Sequence, residues 1–172
     1  MKKILLVLAL VGGTVFSTFA QTTSSSSDGG KFSIGIEPGL PIGDAGDVYS
    51  FIIGASFKYD QPIATGTFVT FSAGYSAFMT KSELKDLGVK GSFGFIPLKA
   101  GIKYYASPGF FLEGQLGVVF STESGGGSAF AYAPGIGYTF DGGFEAGVRY
   151  EGWPKDGFTT SQIGLRLAYR FQ

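Results

Sequence analysis

The sequence predicts an all-β protein, an eight-stranded antiparallel up-and-down transmembrane β-barrel, on three observations. These are a composition suited to strands, eight segments with two-residue alternation, and charges confined to one face of those segments. The 172 residues include 29 Gly, 18 Phe and 9 Tyr, with no Cys and no His. So much glycine weakens helices, whereas strands with tight turns and close-packed faces can use it.

Alternate residues of a strand point to opposite faces, so each segment divides into two sets. The first, Phe32 to Ile42, sets Phe32, Ile34, Ile36, Leu40 and Ile42 against Ser33, Gly35 and Glu37. The second, Phe51 to Asp60, sets Phe51, Ile53, Ala55, Phe57 and Tyr59 against Gly54, Ser56, Lys58 and Asp60. The third, Thr67 to Met79, has Val69, Phe71, Ala73, Tyr75 and Ala77 opposite Thr70, Ser72, Gly74 and Ser76, with Phe68 and Phe78 interrupting the polar side. The fourth, Ile96 to Tyr104, opposes Ile96, Leu98, Ala100, Ile102 and Tyr104 to Lys99, Gly101 and Lys103. The fifth, Phe110 to Phe120, opposes Leu112, Leu116, Val118 and Phe120 to Glu113 and Gln115.

In the sixth, Phe130 to Phe140, bulky Phe130, Tyr132, Pro134, Ile136, Tyr138 and Phe140 face away from Ala131, Ala133, Gly135, Gly137 and Thr139. The seventh, Phe144 to Glu151, opposes Phe144, Ala146, Val148 and Tyr150 to Glu145, Gly147, Arg149 and Glu151. The eighth, Ser161 to Gln172, opposes Ile163, Leu165, Leu167, Tyr169 and Phe171 to Gln162, Gly164, Arg166, Ala168 and Arg170. Most segments approach the roughly 9 to 11 residues that a tilted strand needs to cross a bilayer. Strands of soluble proteins are more often about five or six residues long.

The connections alternate in length. QPIATG, ASPG and DGG are short and rich in turn residues, while DAGDVYS, TKSELKDLGVKGSF, STESGGGS and GWPKDGFTTS are longer. This asymmetry suits a membrane barrel with tight turns at one end and exposed loops at the other. The expected loops run from Asp44 to Tyr49, Thr80 to Phe93, Ser121 to Ser128 and Gly152 to Thr160.

Charge placement decides which face looks inward. A soluble lipocalin-like barrel packs its apolar face inside, whereas a membrane barrel turns that face to hydrocarbon. The bulky faces carry no charge, and all eleven strand charges fall on the other face: Glu37, Lys58, Asp60, Lys99, Lys103, Glu113, Glu145, Arg149, Glu151, Arg166 and Arg170. Six are basic and five acidic, with Gly, Ala and Ser between them, as a narrow lumen of mutually paired charges requires. Lys103 with Glu113 and Arg170 with Glu145 are the expected pairs, with Arg166 and Arg170 turned towards Glu37, Glu145 and Glu151. Eight strands enclose a space that side chains fill, so these charges with Phe68, Phe78 and Phe111 are expected to plug it. On the outer face, aromatic residues gather near both segment ends, as interfacial girdles do.

The first twenty residues have Lys2 and Lys3, an apolar run from Ile4 to Val11, and small residues at Thr18 and Ala20. This is the layout of a secretory signal peptide with cleavage after Ala20, and the apolar run is short beside the roughly 20 residues of a spanning helix. Residues 21–30 read as a flexible Ser-rich leader and 31–172 as the barrel domain. Without Lys2 and Lys3, 11 basic residues face 13 acidic ones, a net charge of −2 that offers no electrostatic reason for a nucleic-acid partner.

The stretches GIEPGLPIGD, GIKYY, AYAPGIGYTF and the closing GLRLAYRF give the chain a resemblance to small outer-membrane β-barrel proteins of the OmpA/OmpX type, in their single-domain form. The resemblance spans Phe32 to Phe171 and lies in glycine and aromatic spacing. It implies the outer membrane of a diderm bacterium, periplasmic N- and C-termini, and lipid as the surrounding partner. It further implies a last strand read by the barrel assembly machinery through Tyr169 and Phe171, although Gln172 follows the terminal aromatic. It also implies a chain that ends with the barrel, without a peptidoglycan-binding domain.

Enzymatic relatives of such barrels use His with Ser or Asp, and this chain has no His. Ser124, Ser128, Ser161 and Asp156 therefore read as loop residues. Asp44 with Asp47, and Glu83 with Asp86, lack the spacing of a calcium loop, and Gly125 to Gly127 lack the Lys-Ser/Thr ending of a phosphate loop. The expectation is a monomeric, non-enzymatic barrel without cofactor or metal. Its role would be structural or a surface interaction with a partner, the loop from Thr80 to Phe93 being the first choice for contact. The alternatives are a small channel or transport accessory, and a secreted soluble ligand-binding barrel.

Overall fold

The structure, a computed structural model, describes residues 29–171. The expected signal peptide with Ala20, most of the leader, and Gln172 lie outside the described residues. The strands are β1 (Lys31–Ile36), β2 (Gly39–Ile42), β3 (Tyr49–Ala64), β4 (Thr67–Thr80), β5 (Ser92–Tyr105), β6 (Phe110–Ser121), β7 (Ser128–Thr139), β8 (Phe144–Lys155) and β9 (Phe158–Arg170). Each later strand pairs antiparallel with its sequence neighbour, and β1 and β2 both pair with β3 on one side and β9 on the other.

β1 and β2 are thus two halves of one stave. Ile36 faces Leu167 and Ala55, and Gly39 faces Gly164 and Ile52, so the register continues without a slip. Glu37 and Gly54 exchange backbone hydrogen bonds across the gap, where Pro38 has no N–H to give. The first segment is therefore continuous from Lys31 to Ile42, and eight staves close the ring.

Most other strands extend past the expected segments. The largest correction concerns Gly152 to Thr160, expected as an exposed loop. β8 continues to Lys155 and β9 starts at Phe158, leaving only Asp156 and Gly157 between them. Both have positive φ, 51° and 85°, the backbone of a tight hairpin turn whose twist matches the flanking strands. Gly157→Val should weaken this tip by about 1 to 2 kcal/mol, because a branched residue resists positive φ. Amide exchange of Trp153 and Thr160 should accelerate accordingly, and unchanged exchange would count against this turn.

The other long connections carry short helical turns, α1 (Asp44–Val48) and α2 (Ser82–Asp86), or a Gly-rich link between Ser121 and Ser128. No helix among the described residues is long and apolar enough to cross a membrane; crossing by strands is a separate question. Their outer faces suit it. Ile34, Ile36, Leu40, Phe57, Phe71, Leu116, Ile136 and Val148 all stand exposed. At the short-turn end Tyr104, Tyr138, Phe140, Phe144, Tyr169 and Phe171 form one exposed aromatic band, and Phe51, Tyr75, Phe120 and Phe130 mark the opposite end. Most of the buried side chains lie inside the ring, while Ser161 is covered by Tyr150 on the outer face.

Candidate functional site: the barrel lumen

The lumen has two layers. Its lower and middle part, towards the short turns, is ionic. Glu145, on β8, meets Lys58 of β3 at 2.9 Å, Arg166 of β9 at 3.2 Å, and Lys103 of β5. Lys58 also holds Glu113 of β6 at 3.2 Å, and Lys103 also holds Asp60 at 3.2 Å. Higher up, the Arg149 guanidinium grips Glu37 through two nitrogens, at 3.0 and 2.6 Å, and donates to Glu151 at 2.9 Å. Lys99 reaches the same Glu151 oxygen at 2.8 Å. Arg166 joins the two groups, lying 3.4 Å from Glu37 while donating to Ser33 and Ser56.

Small residues make room for this. Phe111, Gly137 and Gly147 lie in one cross-strand row, and a Cβ at Gly137 would run into the Phe111 ring. The ring therefore lies flat enough for the Lys103 ammonium to sit 4.1 Å from its centre, a favourable cation–π distance. Such charges are costly to bury singly, and shared partners offset that cost. One polar atom stands out: among the described residues Asp60 Oδ1 is buried without a hydrogen-bond partner.

The upper layer, below the long connections, is apolar. Ile52, Phe78, Val119, Ala131 and Trp153 pack together, with Tyr49, Phe95 and Ala129 against them. The Phe78, Phe95 and Trp153 ring centres are 5.0 to 5.2 Å apart. The indole N–H of Trp153 donates to Glu151 at 2.8 Å, tying the apolar seal to the ionic layer. Beneath it, a half-open crevice of about 20 Å³ runs between Ile136 and Val148 of the wall to Phe111, Glu113, Glu145, Arg149 and Arg166.

All eleven charges expected in the lumen lie on inward positions, with Glu113, Arg149 and Arg170 only partly buried. Two expected pairs are absent. Lys103 and Glu113 stand opposite in register, yet Lys103 bonds to Asp60 and Glu145 while Glu113 bonds to Lys58. Arg170 leaves Glu145 to deeper cations and donates to the Tyr105 hydroxyl at 3.0 Å. Arg166 reaches Glu37 and Glu145, but it is Arg149 and Lys99 that take Glu151. Ring curvature aims long side chains across the lumen, so facing positions on neighbouring strands need not bond. Sequence reasoning also missed Trp153, placed in an expected loop, and Lys31, which begins β1 at the short-turn mouth opposite Asp60. The Asp-Gly pair after an apolar Trp was the available signal for the former.

The eight-stave ring with an apolar outside and charged inside can now be set beside known proteins. The sequence matches the outer membrane protein beta-barrel domain family over residues 8–171. The chain belongs to that family. Among solved structures, this outer-membrane barrel is similar to Ail, the attachment invasion locus protein of Yersinia pestis, with a TM-score of 0.57 and 20% identity, covering 84% of this chain and 99% of that one. It is also similar to the N-terminal barrel of Pseudomonas aeruginosa OprF, with a TM-score of 0.58 and 13% identity, covering 82% and 97%. The outer membrane enzyme PagL gives 0.57 and 16%, covering 81% and 99%. At these identities the likeness shows the fold alone. The search of curated proteins found no match to the sequence.

No group of three or more His, Cys, Asp or Glu among the described residues is placed to hold a metal ion. The Ser161 hydroxyl meets only the hydroxyl of Tyr150, at 2.9 Å.

Proposed function

We propose that this outer-membrane barrel is a non-conducting, non-enzymatic monomer with a structural or surface-interaction role exercised through its long-loop end. The observation that supports the reading is the packing of inward side chains: interlocked ion pairs lie under the Ile52, Phe78, Phe95, Val119 and Trp153 cluster. PagL is an enzyme by name, but the present chain shares its fold at low identity and has neither His nor Cys to serve as base or thiol nucleophile.

The surface offered at the long-loop end carries Lys81, Glu83, Lys85, Asp86 and Lys90 around α2, with Lys90 paired to Glu123 at 2.6 Å. This mixed-charge loop remains the proposed contact for a partner. The termini are proposed to face the periplasm, with Tyr169 and Phe171, outward on the last stave, offered to the assembly machinery after export and cleavage at Ala20. Planar-bilayer recording tests the central point. Purified protein should give no sustained current steps of nanosiemens scale, and steady open channels would overturn the filled-lumen reading.

A further inference from the structure

We infer that the short-turn mouth of the barrel is a binding site for a small organic oxyanion, a carboxylate or phosphate carried on an apolar body. Below the apolar seal, among the described residues, seven inward cations, the six expected ones and Lys31, stand against five inward acids. Each of the acids already bonds a cation in the interior: Glu37 with Arg149, Asp60 with Lys103, Glu113 with Lys58, Glu145 with three cations, and Glu151 with Lys99 and Arg149. The surplus is Lys31 and Arg170, both at the mouth and only partly buried, and neither makes an ion pair among the described residues. Lys31 begins β1 two positions from Ser33, and Ser33 stands opposite Arg170, so the two cations belong to adjoining strands. Asp141, in the exposed turn nearby, makes no ion pair either.

These cations border a cavity of about 620 Å³, with Ala64, Thr65, Phe68 and Tyr105 among its walls. That volume suits a small molecule, and its walls mix polar groups such as Lys31, Gln61 and Arg170 with apolar ones such as Ile63 and Phe68, as a charged head on an apolar body requires. Arg170 is held by its bond to the Tyr105 hydroxyl, which meets the Thr139 hydroxyl at 2.8 Å, leaving the other guanidinium N–H groups for an incoming anion. A guanidinium matches the two oxygens of a carboxylate or phosphate, and Lys31 adds a mobile point charge. Phe68 and Tyr105, with ring centres 5.7 Å apart, offer an apolar wall for the body of the ligand.

The test is a side-chain nitrogen NMR titration of the folded barrel in lipid nanodiscs, following the Arg170 Nε–H signal. Phenyl phosphate and benzoate are the charged probes, and benzyl alcohol is the neutral control. A saturable shift with at least one charged probe and none with benzyl alcohol is expected, and the tighter of the two anions identifies the preferred group. Lys31→Gln with Arg170→Gln should weaken that binding at least tenfold, followed on the Tyr105 ring signals. Lys90→Gln with Lys155→Gln, at the opposite mouth, should leave it unchanged. Should Arg170→Gln impair assembly, Lys31→Gln alone should weaken binding at least threefold. Failure of both anions to bind, equal saturation by benzyl alcohol, or unchanged binding by the Lys31 variant would overturn the site.

Discussion

Lys103→Met should destabilise the barrel by about 3 to 5 kcal/mol, the usual cost of removing one partner from a buried ion pair. Lys103 is 0% exposed and Asp60 is 1% exposed, so neither can turn to water. Asp60 Oδ2 has its hydrogen bond from Lys103, Oδ1 has none among the described residues, and Lys58 lies 4.0 Å away with Glu113 and Glu145 nearer. The single substitution therefore strands a carboxylate in a site with little water. Glu145 would lose one cation and keep Lys58 and Arg166. Adding Asp60→Leu should recover most of the loss, because replacing both members of a buried pair by apolar residues is often close to neutral. Urea unfolding in lipid vesicles measures both, with the fluorescence of Trp153, the sole tryptophan, reporting from the seal. A double variant no more stable than the single one would remove Asp60 as the reason for Lys103.

The fold was legible because alternation has a physical cause that acts on every strand. Hydrocarbon outside and a crowded lumen inside leave no position for an outward Lys or Glu, so the faces could be assigned residue by residue from Phe32 to Phe171. Which charge meets which was not legible. Lys99 and Glu151 are 52 positions apart, Lys58 and Glu145 are 87 apart, and Arg149 and Glu37 are 112 apart. Alternation says only that these side chains share the lumen. Partner choice depends on stagger between strands, on ring curvature and on gaps left by residues such as Gly137.

Strand ends were the other weak point. Gly152, Trp153, Pro154 and Lys155 resemble a loop by composition, because Gly and Pro usually interrupt strands. Their strand pairing persists nevertheless: Gly152 to Lys155 stay in register with Ser161 to Phe158, and Trp153 is buried in the seal while Pro154 and Lys155 stand exposed near the hairpin tip. The apolar seal was hidden for the same reason. Phe78 was expected to fill the lumen, but Ile52 and Val119 sit unannounced on the face that carries charge elsewhere, so taken one strand at a time they look like lapses in the pattern. Only closure of the ring brings these lapses together with Trp153 at one height.

The outward face provides the second large effect. Leu165→Arg should cost about 2 to 4 kcal/mol, the penalty for a cationic side chain on the lipid side of a barrel near the bilayer midplane. Leu165 pairs with Val148 on β8, in the stretch between Phe144 and Tyr150, and its side chain is 37% exposed on the outer surface. Its neighbour gives the contrast. Arg166→Met removes bonds to Ser33, Ser56, Glu37 and Glu145, yet Glu37 keeps Arg149 and Glu145 keeps Lys58 and Lys103. No carboxylate is stranded, so that loss should stay below about 2 kcal/mol, on the scale of a charged hydrogen bond. Folding into vesicles, followed by the heat-modifiable gel shift and by urea midpoints, ranks the two. Adding a charge one residue away from an existing one should therefore do more harm than deleting it, because the two positions face different solvents. Equal losses would mean that Leu165 does not meet hydrocarbon.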